Sequence, residues 1–371
     1  MKKFVALALL SFSFAAHAVT YNVTVLNSLG SGDSKAYALN DNGQVVGQSY
    51  NDNTAQMESA IWSSGIVQSL GVTGIARGIN NSGTVVGETG SASLTQPSGE
   101  AYSWTSGGGV NYLGTFGGNH SGAYDINEAG VITGFAWRGD QPQFSTYGKG
   151  FIYENGVMNP LGTFNDPEGY SRGQGINDSN EIAGRTSVGV FAGNPKFTTY
   201  WDSDQNLNQF QNAAGYSTAE QINNNGLIVG TTREIATGNT LLAATWDTAG
   251  TETVLGGIGA FGSKAWSVND SNQIVGYDQI ASGAENRRAF VSFDGSNIVD
   301  LNSLVDLTGT GLVSLNEAYD INANGDIVGY GVDANGNEQA FLLTAVPVPA
   351  AVWLFGSALG MLGWVRRRKT S

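Results

Sequence analysis

The chain has 371 residues, 53 of them Gly and 7 Pro, with 17 Lys+Arg against 31 Asp+Glu, 13% charged residues and no Cys. Gly costs about 1 kcal/mol in a helix interior and good helix formers are scarce, so long helices and coiled coils are excluded. The 41% hydrophobic content still suffices for a core,, and the missing cysteines exclude thiolate zinc sites, iron–sulfur clusters, thiol catalysis and a disulfide framework.

Residues 1–18 open with Lys2-Lys3, run apolar from Phe4 to Phe14 and close on Ala16-His17-Ala18. A basic region, an apolar run and a small-x-small site in that order predict a secretory signal peptide, cut by signal peptidase after Ala18. The alternative, a buried N-terminal helix, does not account for the charge-then-apolar order. Two lysines leave with this leader and four basic residues lie in the tail, so residues 19–345 keep 11 basic residues against all 31 acidic ones, near −20. Nucleic-acid binding is excluded, because phosphate contacts need clustered Lys and Arg.

The body, 19–345, is one motif written seven times: AYALNDNGQVVG (36–47), ARGINNSGTVVG (76–87), AYDINEAGVITG (123–134), GQGINDSNEIAG (173–184), AEQINNNGLIVG (219–230), AWSVNDSNQIVG (265–276) and AYDINANGDIVG (318–329). The anchoring asparagines are Asn40, Asn80, Asn127, Asn177, Asn223, Asn269 and Asn322, on average 47 residues apart. Between them recur an aromatic strand signal, as at Ala101-Tyr102-Ser103-Trp104 and Ala243-Ala244-Thr245-Trp246, and a Leu-Gly step, as at Leu161-Gly162 and Leu255-Gly256. β-branched and aromatic runs bounded by Asn, Asp and Gly read as strands and hairpins. Four strands per period predict an all-β, seven-bladed β-propeller of four-stranded antiparallel blades. The body begins with a late-repeat strand at Tyr21–Leu26 and ends with the aromatic half, Ala340-Phe341-Leu342-Leu343. Pairing of these N- and C-terminal strands is expected to close the ring and remove its open edges.

The tail, 346–371, holds Val346-Pro347-Val348-Pro349-Ala350, an uncharged run from Ala350 to Val365, and Arg366-Arg367-Arg368-Lys369. As a helix the run spans roughly 24 Å, a little short for a hydrocarbon core of about 30 Å. Trp353 and Trp364 near its ends and the basic cluster beyond predict a C-terminal transmembrane helix with a cytoplasmic tail,. Pro347, Pro349, the short apolar helix and the Arg366–Arg368 cluster together resemble the PEP-CTERM sorting signal in its VPxPA form. That resemblance implies recognition by an exosortase-type membrane peptidase and delivery to the surface of a Gram-negative bacterium that makes exopolysaccharide. Val348 stands where the eponymous form has Glu, and a plain C-terminal anchor is the alternative. The repeats of 19–345 resemble the HAF repeat family, which implies an exported, propeller-like protein with no family catalytic residues to carry over.

Repeated positions are scaffold, so a motif carries chemistry only where it departs from its sister copies. Gly169-Tyr170-Ser171-Arg172-Gly173 fits the G-x-S-x-G nucleophile elbow, but Ser34, Ser121, Ser217 and Ser263 hold the same place, six residues before the anchoring Asn. His120 is the sole histidine of the body and reads as a solvated loop residue. Gly257–Gly262 spells GxGxxG without a following helix to receive a pyrophosphate,. Asp320, Asn322 and Asn324 match the first half of a calcium loop, yet Gly331 stands where the bidentate Glu belongs, and Asn side chains closing a hairpin explain the same letters,. Asp166, Glu168, Glu181, Glu220, Glu234 and Glu317 offer carboxylates for glycoside hydrolysis with no privileged pair, and Trp137 and Tyr147 offer rings for sugar stacking or core packing,. The sequence thus predicts no catalytic, cofactor-binding or metal residues beyond that calcium candidate. The expected function is an exported, surface-delivered, non-enzymatic repeat protein that binds polysaccharide or surface proteins. A carbohydrate-active enzyme and a calcium-stabilised structural protein are the alternatives.

Overall fold

Every repeat turns at its asparagine. The Asn40 amide oxygen accepts from the backbone N–H groups of Asn42 and Gln44, at 3.1 and 2.9 Å, and Gly43 takes φ +75°. The third residue after each anchoring Asn is left-handed throughout: Gly43, Gly83, Gly130, Gly226 and Gly325, with Asn180 and Asn272 in the other two repeats. Those are the residue types that tolerate such a backbone. The Asn-rich corners are hairpin turns, as their spacing predicts.

The computed structural model describes residues 20–90, 99–139, 148–163, 169–187, 195–210, 215–234, 240–259 and 261–346. The leader with Ala16 and Ala18, and the tail with Pro347, Pro349 and Arg366–Arg368, lie outside the described residues. Among the described residues no helix is long and apolar enough to cross a membrane.

Four antiparallel strands surround each turn. In the Asn269 unit they are Ser263–Val268, Ile274–Gln279, Arg287–Ser292 and Val299–Asp300, hydrogen-bonded in that order. The Asn127, Asn177 and Asn223 units repeat the pattern. One strand, Ile66–Ile79, serves two units: Ile66–Ser69 pair with the third strand of the Asn40 unit and Gly74–Ile79 with the second strand of the Asn80 unit. Gly71 at φ +73° lets the chain bend between the two sheets without an intervening loop,. The last unit takes its fourth strand from the other chain end, with Tyr21–Val25 pairing Phe341–Ala345 from Tyr21↔Ala345 to Val25↔Phe341. The architecture is all-β and propeller-like, built of four-stranded antiparallel sheets.

The sheets pack face to face through small and aliphatic residues of each first strand. Four residues before the asparagine stand Ala36, Ala76, Ala123, Ala219, Ala265 and Ala318, all at 0% exposure, and Trp62, Trp201 and Trp246 of third strands are buried against neighbouring units. The seam between chain ends has the same composition, with Val328 and Ala340 packing on Leu26, Ala36, Leu39 and Trp62.

The asparagines also join the units to each other. Each side-chain amide donates to the backbone carbonyl of the next anchoring asparagine, Asn40 to Asn80 to Asn127 to Asn177 to Asn223 to Asn269 to Asn322, at 2.9–3.1 Å. Asn322 then donates to Asn40 at 3.2 Å, which completes the cycle. Ser34, Ser121, Ser171, Ser217 and Ser263 add a second tie, each hydroxyl accepting from a third-strand N–H of the preceding unit at 2.8–3.0 Å.

Candidate functional site

Each first strand carries one residue too many. In all seven units the pairing skips the third residue before the asparagine: Ala36 faces Gly47 and Ala38 faces Val46, so Tyr37 has no opposite number. The skipped residues are Tyr37, Arg77, Tyr124, Gln174, Glu220, Trp266 and Tyr319. A β-bulge re-aims a side chain, and here all seven converge on one open cavity, a mouth of about 410 Å³ between the units. The bulge also explains the Gly that ends each motif: a Cβ on Gly230 would lie 2.0 Å from the Thr218 carbonyl oxygen, and the other six meet the equivalent carbonyl at 1.9–2.1 Å.

Cations gather at the mouth, beside four carboxylates, although the body as a whole is acidic. Five of the body's 11 basic residues, Arg77, Arg172, Arg185, Lys264 and Arg287, line it. Three have carboxylate partners: Arg77 with Glu88, Arg287 with Glu317, and Lys264 with Glu220 at 2.7 Å. Aromatic faces support the cations as well, with Lys264 3.6 Å above Trp266 and Arg172 4.4 Å above Tyr124,. Burial pushes the Glu220 carboxyl up, but Lys264 and Arg185 outweigh it and hold the group below the usual carboxylate range,. Burial, and then Arg185, pull the Arg172 guanidinium down to about 9, which leaves it charged at neutral pH.

Beneath the mouth, two carboxylates latch neighbouring units. Asp125 accepts from the N–H groups of Ile126 and Ile176 and from Gln221, and burial raises its pKa to about 7. Asp320 accepts from Leu39 N–H, Ile321 N–H and the Ser267 hydroxyl, and burial raises it too. A second cavity, formed around the anchoring asparagines, carries Asp41, Glu128, Asp178 and Asp270. These carboxylates accept from the backbone N–H groups of Ala323, Asn81, Glu128 and Asn224 respectively. The calcium candidates serve separate neighbours: Asp320 latches Leu39, Asn322 belongs to the asparagine cycle, and Asn324 donates to the Asp41 carbonyl at 3.1 Å. Among the described residues no three His, Asp or Glu side chains are grouped to hold a metal ion.

The remaining sequence candidates are scattered. Ser171 is fully buried and acts as one of the five inter-unit ties. His120 is not a solvated loop residue: it lies in the strand Gly117–Ile126, its side chain 15% exposed, 3.9 Å from Glu88 and edge-on to Trp137. Pairing with Ile132–Arg138 overrides the loop propensity of the glycines before it. In the GxGxxG segment, the Ile258 and Gly259 N–H groups donate to the Asp278 carboxylate. Glu181 is bonded to Asn177 and Tyr200, Glu234 ends the strand Ile228–Glu234, and Tyr147, Asp166 and Glu168 lie outside the described residues. Of the glycosidase candidates among the described residues, Glu220 and Glu317 line the cavity and Glu181 and Glu234 do not. Sequence reasoning missed Arg77, Tyr124, Arg172, Arg185 and Arg287. Arg77 and Tyr124 stand in the column three residues before each asparagine, which varies between repeats while the residue before it stays Ala or Gly; Arg172, Arg185 and Arg287 lie outside that column and carry no such signal.

No protein-family model matches the chain, and neither does any curated protein. Among solved structures it is similar to the Trypanosoma rangeli sialidase in complex with the inhibitor DANA, with 9% sequence identity and a TM-score of 0.40 over 76% of this chain and 55% of that one. A likeness at that level assigns neither ligand nor activity.

Proposed function

We propose that this chain is an exported, surface-delivered, non-enzymatic binding module on a closed seven-bladed β-propeller, with its ligand held at the mouth. The observation that carries the reading is the bulge position, where one side chain from each of the seven units, of five residue types in all, faces one cavity on a repeated scaffold. The asparagine cycle and the pairing of Tyr21–Val25 with the C-terminal strand support ring closure. Catalysis is disfavoured because the cavity's carboxylates are engaged: Asp125 and Asp320 by backbone N–H groups, Glu220 and Glu317 by cations.

The leader and the tail resembling a PEP-CTERM signal support passage through signal peptidase and an exosortase-type peptidase, transiently through a C-terminal transmembrane helix. The product would be a HAF-type repeat protein associated with surface or exopolysaccharide matrix. The test is a thermal-shift and product screen of the full-length chain against neutral and acidic saccharides. Stabilisation without turnover, lost on Tyr124→Ala, is expected. Release of reducing sugar, abolished by one Asp or Glu substitution, would make it a carbohydrate-active enzyme instead. A melting temperature that falls with chelator would favour the calcium-stabilised alternative.

A further inference from the structure

The strands Tyr170–Ile176 and Ile182–Ser187 set Arg172 directly opposite Arg185. Like charges facing each other across an antiparallel pair repel. At the same register the six sister units place Lys35 opposite Gln48, Ile75 opposite Glu88, Gly122 opposite Phe135, Thr218 opposite Thr231, Lys264 opposite Tyr277 and Glu317 opposite Tyr330. None of those pairs has two charges of one sign.

Both arginines line the mouth, and they differ from its other cations in lacking a carboxylate partner. Arg77, Lys264 and Arg287 each have one within ion-pair distance, whereas among the described residues Arg172 and Arg185 have none. Arg172 reaches the Tyr124 hydroxyl and lies over the Tyr124 and Phe135 rings. The Nε atoms of both arginines are buried and unpartnered. The carboxylates that act on the pair, Glu88 and Glu220, are already hydrogen-bonded to Arg77, Lys264 and Gln174.

Two guanidinium groups without an ion-pair partner among the described residues thus face each other at an open cavity. A guanidinium fork engages a carboxylate through two parallel N–H groups. Resting on the binding reading above, we propose that Arg172 and Arg185 form an anion site that takes a carboxylate-bearing small ligand, of about the size of a sugar acid, with its carboxylate between the two guanidinium groups. The repulsion is retained in the unliganded fold because the ligand relieves it.

Isothermal titration of the full-length chain with glucuronate, glucose and sulfate tests this, alongside melting curves without ligand. Glucuronate should bind and glucose should not, and Arg172→Gln and Arg185→Gln should each weaken glucuronate at least tenfold. Without ligand both variants should melt at or above the wild-type temperature, because the like-charge contact is gone; arginines with a purely structural role would give a lower one. Unchanged affinity in both variants, or sulfate binding more tightly than glucuronate, would overturn the proposal. A neutral ligand lost on Tyr124→Ala while glucuronate is inert would sink the anion site alone. No ligand sensitive to either Tyr124 or the arginines would sink the binding reading with it.

Discussion

Replacing Asn223 by Asp exchanges one NH₂ group for an oxygen at the joint between two units. The Asn223 amide nitrogen donates to the Asn269 carbonyl at 2.9 Å and to the Asn272 side-chain oxygen at 2.8 Å, while its oxygen accepts from Asn225 and Leu227 N–H. In Asn223→Asp the ionised carboxylate keeps both acceptor bonds and turns both donor bonds into close oxygen–oxygen contacts, at a site only 4% exposed. Two lost hydrogen bonds cost about 1 kcal/mol each, and burying the introduced oxygen, which has no donor of its own, adds about as much again, for a total near 4 kcal/mol at pH 8. Once protonated, the introduced carboxyl can donate to the Asn269 carbonyl, so at pH 4.5 the cost should fall to about 2 kcal/mol. Burial and the two acceptor oxygens facing the introduced oxygen raise the carboxyl's folded pKa, so the native state holds the proton longer than the unfolded one and the variant loses stability as pH rises from about 4,. Urea unfolding of Asn223→Asp and wild type, followed by tryptophan fluorescence at pH 4.5 and 8, measures both values. A cost below about 1 kcal/mol at pH 8, or one independent of pH, would refute the role given to the asparagine cycle.

Gly230→Ala drives a Cβ to 2.0 Å from the Thr218 carbonyl and should cost about 2 kcal/mol or more in urea unfolding, whereas Gly107→Ala, with nothing within 4 Å, should be close to neutral,. The Asp125 pKa is raised from 3.8 to about 7, so its ionisation weakens the fold as pH climbs through that window. Unfolding at pH 4 and 8 should therefore show the stability of Asp125→Asn relative to wild type improving with pH, by up to about 4 kcal/mol. Deleting residues 20–26 bares the edge of the strand Glu338–Ala345; light scattering should then detect association through that edge. Mass spectrometry of the mature surface form should find no peptide beyond about Pro349, and an intact Arg366–Arg368 cluster would count against sortase-type cutting.

Turn chemistry and repetition are readable in the sequence because both are local. Asn40 and its six counterparts carry a turn signal that needs no knowledge of the neighbouring unit, and the split repeat announces the pairing of Tyr21–Val25 with the last strand. The bulges are not readable, since strand assignment assumes a strict two-residue alternation and the skipped residue at Tyr37 or Arg77 shows only when its partner strand is in place. For the same reason the cavity stays hidden: Arg77, Tyr124 and Arg172 come from three units and share a mouth only once those units are packed together. His120 reads wrongly as a loop residue because Gly117 and Gly118 look like a turn, whereas pairing with Ile132–Arg138 holds them in a strand. Ser171 reads correctly as scaffold, because comparison with its sister serines is itself a structural argument.

The most direct test of a ligand site at the mouth is the arginine Nε–H spectrum of the full-length, ¹⁵N-arginine-labelled chain, recorded as glucuronate is added. Two Nε–H resonances should move together and saturate, one absent from the spectrum of Arg172→Gln and the other from that of Arg185→Gln. Shifts confined to Arg366, Arg367 and Arg368, or no shift at saturating ligand, would contradict the placement of the ligand in the mouth.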